Sequence, residues 1–205
     1  MALITAAEAR AQLPGLTGTG DDTAIDVMIG RVDRVFARWC GYPAASAGGN
    51  ASMEDASYVL YNGPGGLVTV LDSRRIQLGV WPVTAVTSIY DDTTEAYGAA
   101  VTASYYAIIN GDAGIIEYTL TSGQAWRDTT AGHNLKVTAT CGWVTIPDDL
   151  KQAVMMMVRH WRDLRHVQTK TSANAAQGSA SIREETIPAA IKEILQPFRL
   201  PSVWL

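Results

Sequence analysis

Leu150, Val154, Met157, Val158, Trp161 and Leu164 recur at three- and four-residue spacing, which draws one apolar stripe along a helix. Pro147 suits its first turn, where a missing N–H costs nothing, and Asp148 and Asp149 set negative charge beside the unpaired N–H groups there. This helix is expected to end within 165–169. A second stripe of Ile25, Met28, Ile29, Val32, Val35, Phe36 and Trp39 predicts another helix, capped by Asp21 or Asp22 and closed by Gly41-Tyr42-Pro43. Thr5 and Glu8, three apart, have the form of a capping box that opens a short helix ending by Pro14-Gly15. Ile187-Pro188 opens a last short helix with Ile191, Ile194 and Leu195 as its apolar side, and Pro197 is expected to stop it.

Between the two long stripes the period changes. Short runs rich in β-branched and aromatic residues fall at 57–61, 67–71, 75–80, 84–90, 105–109, 114–119 and 135–141. Asn62-Gly63-Pro64-Gly65-Gly66, Asp91-Asp92, Asn110-Gly111-Asp112 and Ala131-Gly132 break them apart. Strands this short and this closely spaced predict an antiparallel module, a small sandwich or an open barrel. Residues 44–56 and 169–181 are rich in Ala, Ser, Gly, Asn or Gln, the composition of flexible connections.

The order of these elements predicts a division of the chain. Residues 1–46 form the first part of a helical domain, 47–144 an inserted β-rich module, and 145–170 the long helix completing the helical domain. Residues 171–205 hold a flexible linker, a short helix and a C-terminal docking tail. The two long helices each need a partner for an apolar face, and each other is the simplest choice. The expected fold is therefore a mainly α helical bundle with an inserted antiparallel β-module (α+β).

With 205 residues the chain is long enough to bury a core without a metal or disulfide. It is 47% hydrophobic and only 18% charged, which fits a surface partly covered by other subunits. A net charge of −4 argues against general nucleic-acid binding by the whole chain. Cys40 and Cys141 make no metal-ligand pattern and read as two reduced thiols. No apolar run reaches the roughly 18 residues of a membrane span, and no signal-peptide pattern opens the chain, so cytoplasmic synthesis is expected.

The search for catalytic chemistry returns little. His160 and His166, six apart on one helix, do not share a face, and His133 sits at a turn, so no metal site is expected. Gly63-Pro64-Gly65-Gly66 precedes a strand and reads as a tight turn, because a phosphate loop needs N–H groups converging on a helix start. The helix dipole accounts for Asp148 and Asp149 without acid–base work. Neither a nucleophile elbow nor a base for either cysteine is present, and no cofactor or enzymatic activity is expected.

Two features remain. Arg159, His160, Arg162, Arg165, His166 and Lys170 gather toward the negative end of the long helix. They serve either as a dipole-matched solvated face or, multiplied around an oligomer, as a positive surface for passing DNA or an acidic partner. The tail Phe198-Arg199-Leu200-Pro201-Ser202-Val203-Trp204-Leu205 is unusually apolar for a chain end. It either packs on its own domain or docks in extended form on another protein, with Trp and Phe as anchors.

Several stretches, taken in order, resemble the head–tail connector (adaptor) proteins of tailed bacteriophages and gene transfer agents. They are Leu3-Ile4-Thr5 with Glu8-Ala9-Arg10, a helix over 22–42 ending Trp39-Cys40-Gly41-Tyr42, and the Pro82-Val83 strand running through Val86 to Ile89. Tyr105-Tyr106, Gly114-Ile115-Ile116, Trp126 and a strand over 137–142 entering Ile146-Pro147, Leu150 and Ala153 follow, and Leu195-Gln196-Pro197-Phe198-Arg199 closes the series. The resemblance implies a homo-oligomeric ring of twelve subunits in the virion neck, assembled in the bacterial cytoplasm. Its partners would be the portal protein above, a stopper or tail protein below, and double-stranded DNA passing through the lumen, with no membrane. By position it implies portal docking by Phe198, Arg199, Leu200, Pro201, Val203, Trp204 and Leu205, and a DNA-facing lumen at Arg159, Arg162 and Arg165. Another neck component (a stopper or tail-completion protein) and a ligand-binding β-module on a helical base remain as alternatives.

Overall fold

The computed structural model describes residues 3–13, 20, 22–45, 49–119, 125–126, 133–172 and 187–200, with backbone alone at 12 and 165–172. The chain divides into two compact units, one of residues 1–40 and 146–199, the other of residues 41–145 and 200–205.

The first unit holds four helices: α1 (Ala6–Gln12), α2 (Asp22–Cys40), α3 (Asp148–Ser172) and α4 (Ala189–Leu195). The capping box forms as expected. The Glu8 N–H donates to the Thr5 hydroxyl at 3.1 Å, and the Glu8 carboxylate accepts the Thr5 N–H at 2.7 Å. An ion pair of 2.8 Å between Arg10 and Asp22 then ties α1 to the start of α2. Inward on α2 lie Ile25, Met28, Ile29, Val32, Phe36, Ala37 and Cys40. Val35 and Trp39, expected on this face, are only half-buried. A 3.6-residue period carries the stripe past them, so Ala37 and Cys40 take the inward places. On α3, Leu150, Ala153, Val154, Met157, Val158 and Trp161 are buried, and α2 packs against α3 as α4 does. Pro147 stands one place before the helix, its carbonyl accepting the Lys151 N–H at 3.0 Å. The helix also runs past its expected end, to Ser172.

The second unit contains β1 (Ala56–Tyr61), β2 (Val68–Val70), β3 (Arg75–Leu78), β4 (Val83–Asp91), β5 (Tyr106–Asn110), β6 (Ile115–Tyr118) and β7 (Leu135–Cys141). All seven expected runs are strands. They form two antiparallel sheets, β1-β7-β4 and β2-β3-β6-β5, neither of which closes into a barrel. In the first sheet Leu60, Val137 and Ile89 stand in one buried row across three strands, and β7 alternates buried and half-buried along its whole length. In the second, Ile76 lies opposite Ile116, and Ile116 opposite Ile108.

This architecture overturns the expectation of a mainly α helical bundle. The protein is an α+β fold with a sheet-rich core, its strands filling two sheets with buried faces of their own. Two long amphipathic helices dominate any reading of periodicity, whereas strands of three to nine residues each carry a weak signal that grows only when they pair.

The connection before β1 is also firmer than its composition suggests. Ala44 bridges Ala51, Met53 is fully buried, and the Trp143 N–H donates to the Met53 carbonyl at 3.0 Å. Beside this bond Gly142 has φ +115°, and a Cβ there would lie 2.2 Å from the Glu54 carbonyl oxygen. Both the backbone conformation and the space require glycine. At the other end of β7, Asn62 and Asn134 are buried together. The Asn62 amide donates to the Asn134 side-chain oxygen at 2.6 Å and accepts the Leu135 N–H at 2.8 Å. Replacing Gly142 with alanine is expected to cost about 3 kcal/mol through strain and overlap with Glu54, read as a lower urea midpoint; an unchanged midpoint would refute the close approach.

Candidate functional site

The C-terminal segment begins at Ile187, which is buried, and Pro188, which caps α4. Ile191 and Leu195 face inward, and Cys40 Sγ lies 4.0 Å from the Leu195 carbonyl. Burial pushes the Cys40 thiol up to about 12, against a weaker opposing pull from the Arg199 charge. The α-helix ends before Pro197, at Leu195, as expected, and the chain continues ordered through the proline. Pro197 sits inside a single 3₁₀ turn, Gln196–Phe198, whose opening positions accept a residue without an N–H.

Beyond that turn, side chains alternate in environment. Phe198 is 9% exposed and Leu200 7%, while Arg199 is exposed and holds its guanidinium 5.0 Å from the Trp39 ring centre. Phe198 and Leu200 are thus packed within their own chain. Pro201, Val203, Trp204 and Leu205 lie outside the described residues.

The cationic candidates sit on α3. Arg159 and Arg162, three apart, are neighbours on the helix surface. The Arg159 side chain is 64% exposed and makes only a loose 4.0 Å pair with Asp163, of a kind contributing a few tenths of a kcal/mol at most. Arg162 and His160 are half-buried. The side chains of Arg165, His166 and Lys170 fall outside the described residues, although their backbone is helical.

The remaining sequence candidates have structural partners. His133 accompanies the buried asparagines: its Nδ1 meets the Asn62 carbonyl, its N–H donates to Glu95 at 3.0 Å, and its own carbonyl accepts the Tyr97 hydroxyl. Gly63-Pro64-Gly65-Gly66 is the tight turn expected, closed by the Gly66 N–H on the Gly63 carbonyl at 2.9 Å. Cys141 is buried and its thiol pushed up to about 12 by that burial; both cysteines are free. Among the described residues no cluster of His, Cys, Asp or Glu has the makings of a metal site, and no helix is long and apolar enough to cross a membrane.

Sequence reasoning missed a group on the first sheet. Tyr61, Lys136 and Tyr90 stand in register across β1, β7 and β4, and the Lys136 ammonium lies 5.5 Å from the Tyr90 ring and 5.0 Å from that of Tyr97. The alternation of β7 carried the signal, but only the register brings the three together. The described residues line surface hollows of about 360 Å³, beside Arg74, Ile109, Glu117, Tyr118 and Thr119, and about 240 Å³, beside Ile4, Glu8, Lys151 and Met155.

The family model of head completion proteins matches residues 2–200, and the chain belongs to that family. This agrees with the resemblance read from the sequence. Its fold is similar to that of a chain in the neck of a native gene transfer agent particle, a structure computed with C12 symmetry. The TM-score is 0.55 at 18% identity, over 97% of this chain and 89% of that one. A search of curated proteins finds no match.

Because Phe198 fills a place in its own fold, Phe198→Ala is expected to destabilise the isolated protein by about 3 kcal/mol, measured by urea unfolding. A change near zero would mean that Phe198 is free to serve a partner instead.

Proposed function

We propose that this protein is a head–tail connector (adaptor) that forms a ring beneath the portal and joins the capsid to the neck or tail, with DNA passing through the lumen. The observation that carries this reading is the family match over nearly the whole chain, and the likeness to a neck with C12 symmetry supports a ring. In this reading the protein works by assembly and not by catalysis. Residues 1–46 and 145–170 contribute the helical part of the ring, 47–144 the β-rich module, and 171–205 the linker and docking tail.

Portal docking falls to the end of the chain, and burial divides its residues into two sets. Phe198 and Leu200 anchor the segment, Arg199 lies exposed between them, and Pro201, Val203, Trp204 and Leu205 reach the portal. A short apolar tail binds weakly alone, but a portal ring presents many equivalent sites, and multivalency turns weak docking into a firm joint. Arg159, Arg162 and Arg165 face the lumen. There the repeated cations hold passing DNA through counterion release, which leaves no sequence preference.

Truncation after Leu200 is expected to leave thermal unfolding unchanged and to abolish binding to purified portal rings, followed by pull-down and mass photometry. Retained binding would sink the tail assignment. Capture of a tail-side neck protein in place of the portal would favour a stopper. Charge reversal of Arg159 and Arg162 together is expected to lower DNA retention in filled particles severalfold without preventing ring assembly; unaltered retention would remove both from the lumen.

A further inference from the structure

The sheet β2-β3-β6-β5 has two outer strands, and among the described residues neither β2 nor β5 has a second strand neighbour. Natural sheets guard such edges with Lys, Pro or inward charges, because unpaired N–H and C=O groups invite another strand. Here β5 reads Tyr-Ala-Ile-Ile-Asn and β2 Val-Thr-Val, with no Lys, Pro or charge in either; a bulge between Ile108 and Asn110 and the three-residue length of β2 limit the pairing to a short stretch. Exposed apolar side chains collect at the same two edges. Ile109, within β5, is 51% exposed, Tyr105, just before it, 39%, and Leu71, just after β2, 46%.

We infer that β5 of one copy pairs with β2 of the next, so that the sheets of neighbouring subunits join edge to edge. This rests on the ring proposed above and gives the β-rich unit a part in it. The topology fits a head-to-tail joint. All three pairings in the sheet are antiparallel, so β2 and β5, at the ends of four alternating strands, run in opposite directions. Setting β5 beside the neighbour's β2 therefore makes another antiparallel pair, and the outward N–H and C=O dipoles of one edge meet their complements on the other. That pairing brings the start of β5 opposite the end of β2, which sets exposed Tyr105 against exposed Leu71.

Side-chain alternation agrees. Val68, Val70, Ile76 and Ile116 share one face of the sheet by register, whereas Thr69, Gln77 and Ala107 belong to the other, and Leu71 and Tyr105 continue the second set. No charged residue occurs in either strand to oppose the approach. A joint of one short strand pair falls well below the roughly 1,000 Å² of a stable interface. It therefore suits subunits that remain apart until a multivalent platform gathers them, and disfavours a freestanding dimer.

The test uses single-cysteine variants Leu71→Cys and Tyr105→Cys and a short bis-maleimide, with the chain alone at high concentration and mixed with portal rings. Native Cys40 and Cys141 are buried with thiols pushed up to about 12, so the unaltered protein serves as the unreactive control. An equal mixture of the two variants is expected to give a covalent dimer that neither gives alone, and the double variant a ladder of higher multimers. Ile109→Lys, at an exposed site, is expected to unfold normally yet reduce ring yield at least tenfold. Ring-sized particles without the mixed cross-link, self-linking of either single variant, or full ring yield from Ile109→Lys would each overturn the edge joint while leaving the connector reading intact. Absence of any ring-sized particle from the unaltered protein, with or without portal, would overturn both.

Discussion

The β-rich unit depends on where its last strand goes. β7 follows the other six described strands in the chain, yet it lies between β1 and β4 and, among the described residues, supplies the only ladder that either has in that sheet. Without it, β1 and β4 are two unpaired strands far apart in sequence. Closing so long a loop costs entropy before any contact repays it, so the pairing must be specific as well as favourable. Specificity comes from three sources. The unbroken alternation of Leu135, Val137, Ala139 and Cys141 allows only one face to be buried. The buried Asn62–Asn134 pair pins one end, because a slipped register would strand both amides without partners. Gly142, pressed against the Glu54 peptide, pins the other.

The helical unit solves a related problem by different means. α2 and α3 come from opposite sides of the strand block, and each has an apolar stripe on one side only. Packing together removes both stripes from water and needs no polar fixing at its centre. α4 and the 3₁₀ turn then add a third layer of contacts through Ile191, Leu195 and Phe198. A helix of seven residues has little stability of its own, so this segment is ordered by what it packs on. Cys40 shows how dry the arrangement is: its thiol faces a backbone carbonyl, and burial holds the proton on it.

Much of this was legible beforehand because it follows from local rules. Capping at Thr5 and Glu8, the stripes of α2 and α3 and each of the seven strands are written within windows of four to twenty residues. What escaped were properties that arise only on pairing. The weight of the sheets in the fold depends on strands meeting across long sequence distances, so the conspicuous helices were overvalued. Residues 44–56 have the composition of a linker, but Met53 finds a buried site and its carbonyl a donor in Trp143, neither of which composition encodes. Pro197 does stop α4, as its ring requires; what the sequence left unread is the 3₁₀ turn that carries the chain on past it. For the candidate sites the limit was different. Apolar character at Phe198 and Leu200 says that the side chains will be buried, and only the packed chain says that they are buried at home.

That last distinction governs how such a protein can serve as a joint. A docking segment that is apolar throughout would either collapse on its own domain or aggregate. In the proposed docking, buried Phe198 and Leu200 would serve as anchors that reduce the entropy lost when the residues after them bind. The same logic applies to a sheet edge, where the strand is already formed and only its outer hydrogen bonds remain to be made. In the proposed docking tail and the inferred edge joint alike, the cost of order would be met within the subunit, leaving a small increment of binding to the partner. Small increments are what a symmetric assembly requires, because each is repeated at every subunit and none is strong enough to trap a wrong pairing on the way.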